Sequence, residues 1–318
     1  MTSRGPLRID THHHIVPPEY AAWLRANDQQ AGGLPIPVWS VDDALAAMDA
    51  SGVATAVLSV STPGTHIGGG SDAAAMARAV NDYAADVAAG RPDRFGFFAS
   101  LPLPDVDAAL AEIERALDDL GADGIVVLAN HRGVYLGDRR FDPIFDELQR
   151  RRAVVFVHPS ILPGADLVPG IPPFVADFLL DTTRAAVNLC RRGTIQRCPD
   201  VRFILSHAGG FVPYAAHRIA LAASPSGEAV EGLDLLGRFY FDTALSASPT
   251  ALPSLLAFAR PGHVLFGSDW PYAPAPVVSA FVAGLEAHPL DDEQRRSIDR
   301  GAAEALFPHR VASVEPPS

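Results

Sequence analysis

The sequence predicts an α/β protein of the (β/α)8 TIM-barrel class, folded as a single domain. Short apolar runs of strand length alternate with longer segments of helical period, and eight such pairs follow one another along the 318 residues. No linker divides the chain, and a barrel of this class takes about 250 residues or more. A doubly wound open sheet is the main alternative, because it gives the same alternation.

Eight runs rich in Val, Ile, Leu and Phe give the predicted strands. Continuous apolar runs of this length are typical of parallel strands that are covered on both faces. In chain order they are residues 7–15, 53–60, 94–103, 123–129, 153–158, 201–207, 239–243 and 264–268.

A segment of helical period follows each predicted strand. The first of these helices has Ser40 as its N-cap, Asp42 and Asp43 in its first turn and Gly52 after its last turn. In chain order the predicted helices are residues 41–51, 73–89, 106–120, 143–152, 173–191, 213–223, 250–259 and 277–288.

Two connections are longer than ordinary strand-to-helix loops, residues 16–39 and 159–172. In barrels such insertions usually cover the C-terminal mouth, where substrates bind. The glycine run 68–70 lacks the spacing of a phosphate-binding loop and is expected as another mouth loop. We therefore expect one domain over 1–318, with the barrel at about 7–308 and a frayed tail at 310–318.

The charged residues exclude several classes of function. The formal net charge is −12, which disfavours nucleic acid and anionic membranes as partners. All 25 basic residues are arginine. Without lysine, the chain cannot form a Schiff base, anchor pyridoxal phosphate, build a P-loop or carbamylate a lysine that bridges two metal ions.

The cysteines and the N-terminal residues indicate in which cellular compartment the protein is expected. Cys190 and Cys198 have neither zinc-ribbon spacing nor a disulfide framework around them. Residues 1–10 lack an apolar signal segment, and the longest apolar runs are shorter than the roughly 20 residues that span a bilayer. We expect a cytoplasmic protein that is not embedded in a membrane.

The first predicted strand ends in three consecutive histidines. Because side chains alternate along a strand, His12 and His14 should face the same side while His13 faces away. His158 and His207 end the fifth and sixth predicted strands.

Asp269 ends the eighth predicted strand, and the C-terminal strand ends of a barrel surround one point. His12, His14, His158 and Asp269 can therefore bind one divalent metal with a position left open for water, and His207 would stand beside that water. Asp242, at the end of the seventh strand, has two open roles: it orients a ligand histidine or it accepts hydrogen bonds from the backbone.

These residues lie in motifs that together resemble the amidohydrolase superfamily. The motifs are the HxH pair of His12 and His14, VHP at His158, SHAGG at His207 and GSDWPY at Asp269. The resemblance covers most of the chain. It is to the branch that contains aminocarboxymuconate-semialdehyde decarboxylase and 6-methylsalicylate decarboxylase.

Three further blocks look closer to 6-methylsalicylate decarboxylase than to the muconate enzyme. They are FGFFASLPLPD at 95–105, GADGIVVLANHRGVYLG at 121–137 and PGTH at 63–66. The muconate enzymes also carry a substrate-binding arginine in the first barrel helix, and residues 41–48 contain none. The muconate substrate is therefore not expected.

The resemblance implies a mononuclear site in which His12, His14, His158 and Asp269 hold the ion, usually zinc and sometimes manganese. The absence of lysine agrees with a single ion. The resemblance also suggests a homodimer.

Three residues on loops at the mouth are candidates for substrate contact. Arg132 follows the fourth strand and can clamp a carboxylate. His66 and His131 lie on neighbouring mouth loops.

The leading hypothesis is non-oxidative decarboxylation of a small aromatic acid that carries an ortho hydroxyl group, such as 6-methylsalicylate. Loss of CO2 from an aryl carboxylate requires protonation of the ring carbon, and the acid is Asp269 or the metal-bound water assisted by His207. Metal-dependent hydrolysis of a lactone or an amide uses the same residues and is the alternative. A non-catalytic barrel that serves as a binding scaffold is the third hypothesis.

Overall fold

Eight parallel strands form the central sheet of the computed structural model, which describes residues 7–67, 72–164 and 168–311. The sheet order is β1-β2-β3-β4-β7-β8-β9-β10. These strands are β1 (Arg8–His14), β2 (Val53–Ser59), β3 (Phe95–Ser100), β4 (Gly124–Leu128), β7 (Val154–His158), β8 (Arg202–Leu205), β9 (Tyr240–Asp242) and β10 (Val264–Leu265).

The sheet closes on itself, which confirms the barrel and excludes the open sheet. The Thr11 N–H donates to the Phe266 carbonyl at 3.0 Å, and the Asp269 N–H donates to the His12 carbonyl at 2.8 Å. These bonds join the chain after β10 to β1. The predicted eighth strand, 264–268, is regular only over Val264–Leu265.

Helices surround the barrel, and the predicted cap of the first barrel helix is present. Ser40 Oγ accepts a hydrogen bond from the Asp43 N–H at 3.1 Å. The helices are α1 (Pro18–Ala26), α2 (Val41–Ala50), α3 (Asp72–Gly90), α4 (Val106–Glu114), α5 (Asp142–Arg151), α6 (Asp177–Arg191), α7 (Thr194–Arg197), α8 (Val212–Ala223), α9 (Ala229–Leu236), α10 (Ala251–Phe258), α11 (Ala275–Ala287), α12 (Asp292–Arg296), α13 (Ala302–Leu306) and α14 (Pro308–Val311).

The connections between strands and helices contain structure that the sequence pattern does not predict. Helix α1 lies in the first of them, and a short hairpin, β5 (Asn130–His131) and β6 (Val134–Tyr135), follows β4. The predicted helix 173–191 begins with a separate 3-10 turn over Pro173–Val175, before α6. The glycine run 68–70 lies outside the described residues.

The amino-terminal half of the barrel lumen is apolar. Phe98 stacks on Phe156 with ring centroids 5.5 Å apart, and Phe307, after α13, contacts Phe98 at 5.9 Å. The remaining buried members of this floor cluster are Ile9, Val57, Val126, Val154, Ile204, Leu265, Ala302 and Ala303. Helix α13 and Phe307 thus close the bottom of the barrel.

The end of the described chain is held to the barrel. Arg310 Nε and Nη2 donate to the two carboxylate oxygens of buried Asp123 at 2.6 and 2.7 Å. His309 Nε2 lies 2.6 Å from Asp123 Oδ1. This bidentate pair fixes Arg310, the first residue of the expected frayed tail, and residues 312–318 lie outside the described residues, so the tail stays a prediction. Within the described ranges, no helix combines the length and apolarity needed to cross a membrane.

Candidate metal centre and active site

Five polar side chains converge at the carboxyl ends of four barrel strands. His12 and His14 lie at the end of β1, His158 ends β7, His207 follows β8 and Asp269 follows β10. All five residues are buried. The barrel thus brings together side chains that are up to 257 positions apart in the sequence, from His12 to Asp269.

The donor atoms of this cluster lie close together. His12 Nε2 is 3.0 Å from His14 Nε2, and Asp269 Oδ1 is 3.2 Å and 3.1 Å from these two nitrogens. Asp269 Oδ2 is 3.4 Å from His207 Nε2. The His158 ring lies 5.3 Å from the His12 ring and 4.9 Å from the His14 ring, between centroids.

The sequence assigned His14 to the metal and His207 to catalysis. One ligand atom each from His12, His158, His207 and Asp269 lies within 4.8 Å of the others. Because His14 Nε2 also reaches Asp269, both His14 and His207 border the point where these atoms meet. The geometry is therefore compatible with either imidazole as the third nitrogen ligand.

Hydrogen bonds at Nδ1 fix the orientation of three of these imidazoles. His12 Nδ1–H donates to Asp242 Oδ2 at 2.8 Å. His14 Nδ1 contacts the Ser59 carbonyl at 3.1 Å, and His158 Nδ1 contacts the Pro159 carbonyl at 2.9 Å. This arrangement turns each Nε2 toward the shared centre, as is typical of histidines that bind a metal.

The electrostatics of the cluster also fit a cation. Burial lowers the pKa of His14 and lowers that of His158 well below its usual range, which keeps both imidazoles neutral. Burial also lowers the pKa of His12, but Asp242 and Asp269 outweigh it and raise that pKa to about 10. Against the effect of burial, the His12 charge holds the pKa of Asp269 well below its usual range.

Neutral imidazole lone pairs and a carboxylate repel one another at 3 Å unless a positive charge lies among them. The proton that His12 retains meets this requirement in part, and a divalent ion meets it fully. Three or four imidazole nitrogens with one carboxylate oxygen form a donor set for Zn²⁺, Mn²⁺ and similar ions. The residues present therefore fit the expected metal.

His13 is turned away from the centre. Its Nδ1 lies 3.0 Å from Asp10 Oδ2, and its ring packs on Trp270 at 4.9 Å. Asp10 Oδ1 accepts hydrogen bonds from the N–H groups of His12 and Ser268, at 3.0 and 3.1 Å. Asp10 thereby ties the end of β1 to the segment that carries Asp269.

Asp242 performs both of the roles that the sequence left open. One oxygen accepts from His12 Nδ1–H, and the other accepts from the N–H groups of His207 and Ala244 at 2.9 and 3.0 Å. The backbones of His207 and Asp269 have φ values of 52° and 62°, in the left-handed region that is costly for these residues. The hydrogen bond that the His207 N–H donates to Asp242 helps to hold His207 in that conformation.

The cluster forms one side of a cavity of about 780 Å³, here called the metal cavity. His158, His207 and Asp269 line it together with mainly apolar side chains, and no arginine lines it among the described residues. The apolar and aromatic members are Ala31, Leu34, Phe174, Val175, Phe178, Leu179, Ala208, Phe211, Pro213, Tyr214, Leu245, Ala251, Tyr272, Ala273, Pro274, Val277 and Phe281. Its volume is typical of a small-molecule site.

Tyr272 is a site residue that sequence reasoning did not single out. Its ring contacts His14 at 5.3 Å, and burial, with a further contribution from Asp269, raises the pKa of its phenol. The phenol therefore stays protonated and can donate a hydrogen bond in the metal cavity. Its position three residues after Asp269 was the available signal.

His66, His131 and Arg132, the candidate substrate contacts, are not brought to the metal cavity. They line a separate cavity of about 540 Å³ over β2, β3 and β4, here called the second cavity. Thr62 and His158 line the metal cavity, whereas Pro63 and Ser160 line the second one.

Known protein sequences match this chain along most of its length. The family model described as amidohydrolase matches residues 9–309. A 6-methylsalicylic acid decarboxylase from Penicillium expansum is 42% identical over 315 residues, which cover 95% of this chain and 96% of the relative. The expected resemblance is confirmed.

Solved structures share the whole fold. A crystal structure described as "Amidohydrorolase II" has a TM-score of 0.89 and 31% identity, covering 95% of this chain and 99% of that chain. A dihydroxybenzoic acid decarboxylase from Polaromonas sp. JS666 with bound manganese has a TM-score of 0.79 at 22% identity, covering 97% and 99%.

Proposed function

Because this chain belongs to the amidohydrolase family, we propose that it is a metal-dependent carboxy-lyase acting on a small ortho-hydroxy aromatic acid. The model substrate is 6-methylsalicylate, the acid in the name of the Penicillium relative. The observation that carries the proposal is the juxtaposition of an imidazole and carboxylate cluster with an apolar cavity large enough for a substituted benzene ring.

His12, His14, His158 and Asp269 are the proposed ligands of one divalent ion. Zn²⁺ suits a site of three imidazoles and one carboxylate, and Mn²⁺, which is bound in the Polaromonas structure, is the alternative. When bound, the ion would supply positive charge that favours binding of an anionic substrate beside these residues. No arginine among the described lining residues competes for that carboxylate.

Asp269 and His207 are the proposed proton-transfer pair. The two oxygens of Asp269 face different partners: Oδ1 faces the nitrogens of His12 and His14, and Oδ2 faces His207 Nε2. One carboxylate can thus serve as a ligand through one oxygen and exchange a proton through the other. This division removes the conflict between the two roles that the sequence assigns to Asp269.

The proton goes to the ring carbon that bears the carboxylate. The bond from this carbon to the carboxylate then breaks, CO2 leaves, and the electron pair of that bond restores the aromatic ring. The apolar side chains exclude water from the ring, which favours loss of the charged carboxylate as neutral CO2. Phe178 belongs to this apolar wall, and its ring contacts His158 at 6.1 Å between centroids.

The test is turnover of 6-methylsalicylate by the metal-loaded protein in D2O, with CO2 measured and the cresol product examined by NMR and mass spectrometry. We expect one solvent deuterium at the carbon that carried the carboxylate, and no product from chelator-treated protein. Ring opening of a lactone, with no CO2 from any ortho-hydroxy aromatic acid, would instead establish the hydrolase.

We also propose that the protein works in the cytoplasm as a homodimer. Two buried free cysteines, Cys190 and Cys198, support a reducing compartment. Val175 and Tyr214, at the rim of the metal cavity, are 53% and 84% exposed and support burial of this rim against a second copy. Cell fractionation and sedimentation equilibrium test the two proposals, and a monomer at micromolar concentration contradicts the second.

A further inference from the structure

The second cavity is separated from the metal cavity by a thin wall. Ser61, Thr62 and His158 line the metal side, and Pro63 and Ser160 line the other side. Thr62 Oγ1 and Ser160 Oγ lie 3.2 Å apart, within hydrogen-bond distance across this wall. No described residue lines both cavities, so a ligand confined to the second cavity would contact none of the histidines of the metal centre and not Asp269.

The backbone of the wall is itself anchored. Asp181 is buried, and its Oδ2 accepts a hydrogen bond from the Ser160 N–H at 2.8 Å. The Asn130 amide donates to both Asp181 oxygens and to the Ile161 carbonyl, at 3.0 to 3.1 Å. The wall between the second cavity and the metal cavity is thus held in place, as expected of a preformed site.

The two histidines of the second cavity supply polar groups to it. His131 Nε2 accepts a hydrogen bond from the Leu128 N–H at 3.2 Å, which places the ring proton on Nδ1. Burial, with a contribution from His66, lowers the pKa of His131 to about 3, so this imidazole stays neutral. His66 Nδ1 is buried and has no hydrogen-bond partner among the described residues.

Arg132 is the one arginine among the described residues that line this cavity. Within the described ranges, no aspartate or glutamate lines the cavity, and no carboxylate pairs with the Arg132 guanidinium. The Arg132 backbone has a φ of 53°, in the left-handed region. A guanidinium that is unpaired among the described residues, beside the neutral His131 imidazole, favours an anion with one negative charge.

The rest of the second cavity is hydrophobic. Val60, Leu101, Leu103, Val126 and Leu128 form its inner walls, and they lie on or next to β2, β3 and β4. Its volume of about 540 Å³ lies within the range of small-molecule sites, roughly 300–1,000 Å³. A matching ligand has a compact apolar body and one anionic group.

We propose that the second cavity is a separate binding site for a small monocarboxylate with an apolar body, such as an aromatic acid. The carboxylate pairs with Arg132, His66 and His131 offer further hydrogen bonds, and the body packs on the valine and leucine walls. This site requires neither the metal nor catalysis, and so it goes beyond the proposed function.

The test is titration calorimetry of benzoate, which lacks the ortho hydroxyl group, into the full chain with metal and after chelation. Binding at the second cavity should survive chelation. Arg132→Ala should weaken that binding about tenfold or more, the usual loss for a charged hydrogen bond. Arg139→Ala removes another exposed arginine, 7 positions away, that does not line the cavity, and it should leave the affinity unchanged.

A second variant tests the same site by reducing the volume of the second cavity. Ile161 is half exposed on the cavity rim, so Ile161→Trp should fold normally, fill part of the cavity and also weaken benzoate binding. Equal benzoate affinity in the chelated wild type, Arg132→Ala and Ile161→Trp would overturn the proposal, as would loss of all binding on chelation. CO2 release from 6-methylsalicylate is a separate measurement, so failure of one proposal is distinguishable from failure of the other.

Discussion

The two ends of the barrel lumen are built on the same strands but have opposite chemistry. On β7, Phe156 belongs to the apolar floor cluster and His158, two residues later, belongs to the metal centre. The His12 ring contacts the Phe156 ring at 4.9 Å, so the two regions touch. The comparison shows how an apolar layer can form the base of a charged site and keep water from it on that side.

The two ends also differ in how much conformational free energy they cost the folded state. At the mouth, His207 and Asp269 have left-handed backbones, each of which costs on the order of 1–3 kcal/mol. Buried polar atoms without a partner among the described residues include His207 Nδ1 and His13 Nε2. The floor consists of close-packed apolar side chains and carries no such cost, so substitutions at the two ends should separate activity from stability.

The largest expected effect is at the proposed metal ligands. His158→Ala and His14→Ala should each remove most of the bound metal and lower turnover by about 10⁴-fold or more, because the charge that holds the substrate is lost. Elemental analysis of purified wild type should give one ion per chain. His13→Ala is the matched control, since His13 faces Asp10 and Trp270, and it should keep the metal.

His207→Ala distinguishes the two possible ligand sets. We expect it to retain the metal and to lower turnover by roughly 10²–10⁴-fold, the usual range for a lost acid or base group. The physical reason is the contact between His207 Nε2 and Asp269 Oδ2 at 3.4 Å. If His207→Ala loses the ion while His14→Ala keeps it, the roles of the two imidazoles must be exchanged.

At the other end of the lumen, Phe307→Ala should cost about 3–5 kcal/mol of unfolding free energy because it leaves a cavity beside Phe98. Below the unfolding transition, metal content and turnover should stay near those of the wild type. Urea denaturation and elemental analysis measure the two properties. Ala305→Ser, at an exposed position in α13 two residues before Phe307, should change stability by less than about 0.5 kcal/mol. A loss of metal in folded Phe307→Ala would show that the floor and the mouth of the barrel do not separate stability from activity.

The barrel and the convergence of the site were predictable because they depend on repeated local patterns. Strand periodicity and polar residues at strand ends are visible in one sequence, so the cluster of His12, His14, His158 and Asp269 follows from the fold class. The closing hydrogen bonds between β1 and the segment after β10 join residues about 255 positions apart. They could only be expected by analogy with other barrels.

The division of the mouth into two cavities was not predictable. It depends on the Thr62–Ser160 contact and on the Asp181 hydrogen bonds that hold the loop after β7. Loop packing of this kind leaves no periodic pattern in a sequence. Arg132 was therefore expected near the substrate because it lies on a mouth loop, whereas the structure places it at the second cavity.

Asp242→Asn tests whether the hydrogen bonds to Asp242 orient the proposed ligand His12. Asp242 accepts hydrogen bonds from His12 Nδ1–H and from the N–H groups of His207 and Ala244, and an asparagine amide presents N–H groups to at least one of these donors. Metal affinity should fall about 10–100-fold, as is typical for residues that orient a ligand histidine. Competition with a chelator measures it. Asp234→Asn, which removes a carboxylate that pairs with surface arginines, is the control and should bind metal normally.

The smallest expected effect is on the free energy of unfolding at acid pH. It acts through Asp123, which directly precedes β4. Burial raises the pKa of Asp123, but hydrogen bonds from His309 and Arg310 outweigh it and lower that pKa below its usual value. A carboxyl group with a depressed folded-state pKa stabilises the protein above its unfolded pKa of about 3.9, and this stability is lost as the pH falls through the folded value. His309 is more than half exposed, so His309→Gln should cost only about 0.5–1 kcal/mol at pH 7. Urea denaturation of both proteins from pH 7 to pH 3 should show this gap closing below about pH 4. A gap that stays constant over the whole range would mean that His309 acts by packing and not through the ionised carboxylate.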